Sequence, residues 1–221
     1  MTFYGIQVRP YYRRRARPFV TLVTTLALIA AATWSVVFTT ASGASGVPEC
    51  PAPPSGELPG EVLSPDALDE VSPAAPAATR VRVLNAGGQR GQANLVAAQL
   101  GDLGFAEAGE PANDALFPEG DMECAGQLRF GTAGEAGAAT LALVLPCMEL
   151  VRDGRSDDSV DVVLGTGFTN VRPQRVVRDL LDQLSGGGTD GSENAAPEAG
   201  DAASAPVVDP ELLAQARERR C

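Results

Sequence analysis

Every one of the seventeen basic residues in this chain of 221 is an arginine, and that sets the limits on its chemistry. Without lysine or histidine there is no Ser-His-Asp triad, no Cys-His pair, no Schiff-base lysine and no histidine metal site. What remains are turns and arginines able to hold an anion. The run Asn85-Ala86-Gly87-Gly88-Gln89-Arg90-Gly91 leads from a strand into a helix, where free N–H groups and the helix dipole favour negative charge. Arg90 adds a cation beside it. A glycan phosphate or carboxylate fits such a turn, although Asn and Gly serve equally to make it tight and closely packed.

The same strand-to-helix pattern recurs at Arg129, Gly131 and Thr132, and Gly165-Thr166 forms a third turn that can line the same sheet end. The candidate binding set is therefore Asn85, Gly87, Gly88, Arg90, Arg129, Thr132, Gly165 and Thr166. If Phe130 points inward, Arg129 points to the opposite face, as a surface arginine does. None of these turns is a GxGxxG or Walker loop. The acidic cluster Asp153, Asp157, Asp158 and Asp161 has no EF-hand spacing and reads as a solvated loop before an edge strand. Paired carboxylates can hydrolyse glycosides, but nothing singles out two acids, and so small a domain offers little substrate cleft. The expectation is a protein without catalytic residues, metal or cofactor.

Cys50, Cys124, Cys147 and Cys221 match no metal-binding spacing and read as disulfides in an oxidising compartment. Three pairings are open on paper. Cys124 precedes one strand and Cys147 follows the helix that returns from it; a five- or six-residue strand and a twelve-residue helix each cover about 20 Å. Geometry thus favours Cys124–Cys147 and leaves Cys50–Cys221 to clasp the two ends.

The elements that would position these residues lie mostly within 79–171. Alternation marks strands at 80–84, 127–130 and 160–164. Helices are expected at 89–103, with Val96, Leu100 and Leu103 on one face, and at 133–145, ending at Pro146. Residues 109–126 are irregular, and 172–184 form an amphipathic helix. Residues 42–78 are a Pro- and Ala-rich linker in which Ser64-Pro65-Asp66 can start a short helix. An acidic, Gly-rich stretch, 185–208, reads as a disordered linker. Asp209-Pro210-Glu211 starts a last helix toward the terminal cysteine.

Upstream, residues 19–41 are uncharged, and Arg9, Arg13, Arg14, Arg15 and Arg17 precede them. About 20 apolar residues cross a ~30 Å hydrocarbon layer, and arginines on one flank keep that end in the cytoplasm. A cleaved signal peptide is the competing reading, but its apolar core is normally only about 7–15 residues. The expected layout is a cytoplasmic tail at 1–18, one transmembrane helix at 19–41 and an extracytoplasmic remainder. That remainder carries twelve arginines against twenty-eight acids, which argues against nucleic acid as a partner.

The stretch Val81-Arg82-Val83-Leu84-Asn85-Ala86-Gly87-Gly88, with Leu103-Gly104-Phe105 after it, resembles the opening of the LytR C-terminal domain family. Leu128-Arg129-Phe130-Gly131 resembles that family's second strand–helix unit. Val160-Asp161-Val162-Val163-Leu164-Gly165-Thr166-Gly167-Phe168 is similar to its closing signature. The resemblance implies an α/β fold, a two-layer sandwich of a small mixed sheet and helices built from two strand–helix units. It also implies an envelope location and a role in cell envelope integrity. The thirty-seven residues between the apolar run and residue 79 are too few for the catalytic domain of LytR-type transferases, so their chemistry does not carry over. The expected partners are the cell membrane, through one helix, and wall glycan, lipid or membrane-bound cell-wall enzymes.

Overall fold

The computed structural model describes residues 16–42, 49–186 and 208–218, with the side chains of the first helix described at 20–34. The chain divides into two units, Met1–Gly46 and Val47–Cys221. In the first, α1 runs Ala16–Ser42. Thr24, Thr25 and Thr33 return their hydroxyls to carbonyls one turn earlier, Thr24 to Val20 at 3.0 Å and Thr33 to Ile29 at 2.9 Å, so these polar groups are satisfied inside the helix. Among the described residues no helix is long and apolar enough to cross a membrane; residues 20–34 alone fall short of the ~20 that a span requires.

The second unit is built on one mixed sheet. Its strands are β1 (Glu61–Val62), β2 (Arg80–Asn85), β3 (Ala106–Glu107), β4 (Ala112–Asn113), β5 (Gly126–Phe130), β6 (Glu149–Arg152) and β7 (Val160–Leu164). The order across the sheet is β1-β6-β5-β7-β2-β3, with β4 continuing the β3 edge of β2. Two parallel crossovers build it: β2 passes through α2 (Gln92–Asp102) to β3, and β5 passes through α3 (Glu135–Val144) to β6. β7 joins the halves, parallel to β2 and antiparallel to β5. The mixed sheet and its two strand–helix units agree with the architecture the sequence suggests. β6 is an addition, since Glu149–Arg152 follows Pro146 and Cys147 too closely to stand out as a strand.

Strand alternation gives the sheet two unlike faces. On one, Val81, Val83, Leu128, Phe130, Leu150, Val160, Val162 and Leu164 form the main core with residues of α2, α3 and α4 (Arg175–Leu184). The strong amphipathicity of α4 puts Val177, Leu180, Leu181 and Leu184 inward. α5 (Pro210–Glu218) adds Ala216 and lies against α4. The opposite face carries Leu84, Val163, Gln127 and Glu149 in one row and Arg82, Asp161, Arg129 and Val151 in the next.

The stretch expected as a linker is largely built into this unit. Leu68 is buried in the main core, β1 pairs with β6, and Pro53, Pro73 and Pro76 are buried. Residues 64–71 form consecutive turns, Ala67 N–H to Ser64 O and Asp69 N–H to Asp66 O, in place of the short helix. Most of the acidic stretch 185–208 lies outside the described residues.

Candidate functional site

The polar face of the sheet lies under the irregular segment between β4 and β5. Leu84, Ala86, Phe117, Met122, Cys124 and Val163 make a second, smaller core there. A covering loop has no ladder of its own, so its buried backbone needs other partners. Met122 N–H bonds Ala86 O at 3.0 Å, Thr166 N–H bonds Met122 O at 2.8 Å and Gly167 N–H bonds Cys124 O at 2.9 Å. Asp114, 2% exposed, accepts the amides of Leu116 and Phe117 through one oxygen. Its other oxygen takes Arg129 Nη1 at 2.6 Å. Arg129 Nε donates to Gln127 Oε1, Gln127 Nε2 to Glu149 Oε2, and Cys50 N–H to Glu149 Oε1. Cys50 is disulfide-bonded to Cys124. The chain of contacts begins and ends on the same loop.

This corrects the expected pairing of Cys124 with Cys147 and of Cys50 with Cys221. Cys124 packs into the loop-side core, whereas Cys147 follows α3 in the helix layer, so the two meet the sheet end from opposite sides. Cys147 is also disulfide-bonded, and the expected partner of Cys50, Cys221, lies outside the described residues.

The candidate anion-binding residues converge only in part: Asn85, Gly87, Gly88, Gly165 and Thr166 share one sheet end, whereas Arg129 and Thr132 do not join them. β5 runs antiparallel to β2 and β7, with Gly126 opposite Leu164 and Phe130 opposite Val160. Thr132, on the short 3-10 turn Thr132–Gly134 after β5, therefore sits at the sheet end away from Asn85. Arg129, expected at the surface, is 5% exposed and committed to Asp114 and Gln127. Asn85 spends its side chain on its own turn, donating from Nδ2 to Gln89 O and accepting Gly87 N–H at Oδ1. Gly87 lies against Gly165, where a Cβ would come 2.5 Å from Gly165 O. Gly88, at φ +73°, lies against Gly120, so the glycines here permit backbone contact. Arg90 stays exposed beside a shallow hollow of about 350 Å³ that includes Asn85, Gly88 and Glu119.

The acidic cluster is largely neutralised by arginine. Asp161 accepts two bonds from Arg82, at 2.9 and 2.7 Å, and one from Arg155 at 2.7 Å. Burial lifts the Asp161 carboxyl, but the bonds from Arg82 and Arg155 outweigh it and hold the group below the usual carboxylate range. The Arg155 charge, opposed by its own burial, is reinforced by Asp161 and Asp153. Among the described residues no group of three or more His, Cys, Asp or Glu is placed to hold a metal.

One feature contradicts the expectation of little cleft. At the C-terminal end of β7, a cleft of about 750 Å³ opens between the residues before β5, the end of α3 and the loop after β7. Val144, Leu145, Met148 and Phe168 give it an apolar lining, with Thr166, Asn170 and Arg172 also on its wall. Of the candidate residues, Thr166 alone reaches it. The closing Leu-Gly-x-x-Phe pattern in the sequence marks this place, but the other walls come from residues some twenty and forty positions upstream.

A family model described as LytR cell envelope-related transcriptional attenuator matches residues 78–168. The cell envelope integrity protein Cei of Mycobacterium tuberculosis is 41% identical over 192 residues, which is 85% of this chain and 88% of Cei. The chain belongs to the Cei family. A crystal structure of the soluble domain of a conserved hypothetical secreted protein from Mycobacterium marinum is 42% identical, with a TM-score of 0.63. It is covered over its full length by 75% of this chain. Most of the lining of the cleft in this member of the Cei family, up to Phe168, falls within the span of the family model; Arg172 and α4 lie beyond it.

Proposed function

We propose that this chain is an extracytoplasmic protein tethered to the plasma membrane by α1, supporting cell envelope integrity through contacts and without catalysis. The observation that carries this reading is the 41% identity to a protein named for envelope integrity, spread over most of both chains. The tether is supported by the uncharged run at 19–41, its flanking arginines and a helix that continues from Ala16 to Ser42. The absence of lysine and histidine supports contact over chemistry, as does the commitment of Asp114, Arg129 and Glu149 to one another's neighbourhood.

Three measurements test it. Protease added to intact cells should remove an epitope placed after residue 218 and spare one at the N-terminus; protection of the C-terminal epitope would reject the topology. Deletion should sensitise cells to envelope-directed antibiotics, and purified protein should neither hydrolyse nor transfer an envelope polymer; turnover of any such polymer would reject the non-catalytic reading. The cleft favours a lipid-binding version of this function over a glycan-binding one, because Phe168 is the single aromatic on a mainly apolar lining. A scaffold for membrane-bound cell-wall enzymes would instead give protein adducts on crosslinking in cells.

A further inference from the structure

We propose that the cleft at the C-terminal end of β7 holds the acyl chain of an anionic lipid, with Arg172 contacting the headgroup. Its volume of about 750 Å³ lies in the range of small-molecule sites, which are typically concave and mainly apolar with a few placed polar groups. Val144, Leu145, Met148 and Phe168 supply the apolar surface, while Thr166 and Asn170 are exposed on its wall.

One wall is also fixed. Cys124 is bonded to Cys50. Beside it, Thr166 and Gly167 are held to Met122 and Cys124 by backbone hydrogen bonds. A cleft stapled in this way does not have to be ordered by its ligand, which lowers the entropic cost of binding.

Charge selects the headgroup. Arg172 lines the cleft, is exposed and has no ion pair among the described residues, and Arg175 and Arg178 follow it, exposed and equally unpaired. Asp179 and Asp182, one turn beyond the latter two, form no ion pair with them. Cations at the start of a helix oppose its dipole, and the first turn of α4 contains no acid to offset them. Helix stability therefore does not account for three arginines there, in a region where acids outnumber arginines twenty-eight to twelve. Glu123 is the one carboxylate on the lining and comes from the loop before β5.

The source of such a lipid rests on the extracytoplasmic reading, but binding does not, so the test uses purified full-length chain in a neutral maltoside. Phosphatidylglycerol with a diazirine in its acyl chain is irradiated with the protein, and adducts are mapped by peptide mass spectrometry against the same probe built on phosphatidylcholine. The expected adducts lie on peptides holding 144–148 and 166–168. Arg172→Glu should lower phosphatidylglycerol labelling there about tenfold, the loss of roughly one charge-assisted contact, and leave phosphatidylcholine labelling unchanged. Thr166→Trp should block both; Thr169→Trp serves if that variant melts early. Glycerophosphoglycerol, a headgroup without a chain, should not compete. Labelling confined to α1, equal labelling by the two lipids, indifference to Arg172→Glu, or a bound peptide in place of lipid would each overturn the proposal. None of these outcomes bears on membrane topology.

Discussion

The two faces of the sheet are made by the same strands and are buried by opposite means. Under the helices, Leu128 and Phe130 are fully covered by side chains that ask only for area and shape. On the reverse, Gln127 and Arg129 of the same strand are equally covered by an irregular loop that brings its own unpaired amides. The helix layer satisfies its backbone internally; the loop layer must borrow partners from the sheet. Burial beneath this loop therefore admits charge and amide side chains beside Leu84 and Val163, whereas the strand side chains beneath the helices are apolar.

Removing one partner of the loop-side charge pair breaks this contrast most severely. Arg129→Met should destabilise the folded unit by about 3–5 kcal/mol in urea titrations, because Asp114 stays buried without its cation. Adding Asp114→Asn, which keeps an acceptor for Leu116 and Phe117, should recover more than half of that. A single-variant loss under about 1 kcal/mol would mean the face behaves as an ordinary surface. The double change Cys50→Ser and Cys124→Ser should cost about 2–4 kcal/mol. Hydrogen exchange should then quicken at Met122 and Thr166 well before the amides of α3.

A smaller effect is expected at Asp161, which is buried beneath arginine side chains rather than beneath the loop. Asp161→Asn should cost about 2 kcal/mol at neutral pH, as hydrogen bonds to charged groups do. The Asp161 carboxyl is depressed in the folded state, so its contribution is present above its ordinary value of about 3.9 and is lost as pH falls through the folded value. The gap between wild type and variant should narrow below about pH 4; a gap flat down to pH 2 would locate the loss elsewhere. Arg90→Ala, exposed beside its hollow, should move stability by less than about 0.5 kcal/mol in thermal melts.

The sequence made the helix-side architecture legible because its signals are periodic. Alternation placed strands at 80–84, 127–130 and 160–164, within a residue of β2, β5 and β7, and apolar spacing placed α2, α3 and α4. The loop side carried no such signal. Residues 109–126 have no period, and whether a loop lies over Arg129 depends on tertiary contacts that local pattern does not encode. Asp114 is fifteen residues from its partner and Cys50 is seventy-four from Cys124. The candidate set is split for a related reason: three turns were taken to share one sheet end, and the antiparallel placement of β5 sent Thr132 to the other.

The position of β7 governs how such a chain can be made. It is the last strand in sequence, yet it lies between β5 and β2 in the sheet. Until Val160–Leu164 arrives, a nascent polypeptide holds two half-sheets, each with an apolar strand edge open to any neighbour. Productive folding must wait for nearly the whole domain to emerge, and pairing across such sequence distances is slow. A chain halted before residue 160 should be a hazard for aggregation, whereas one halted after residue 186 already has every strand it needs.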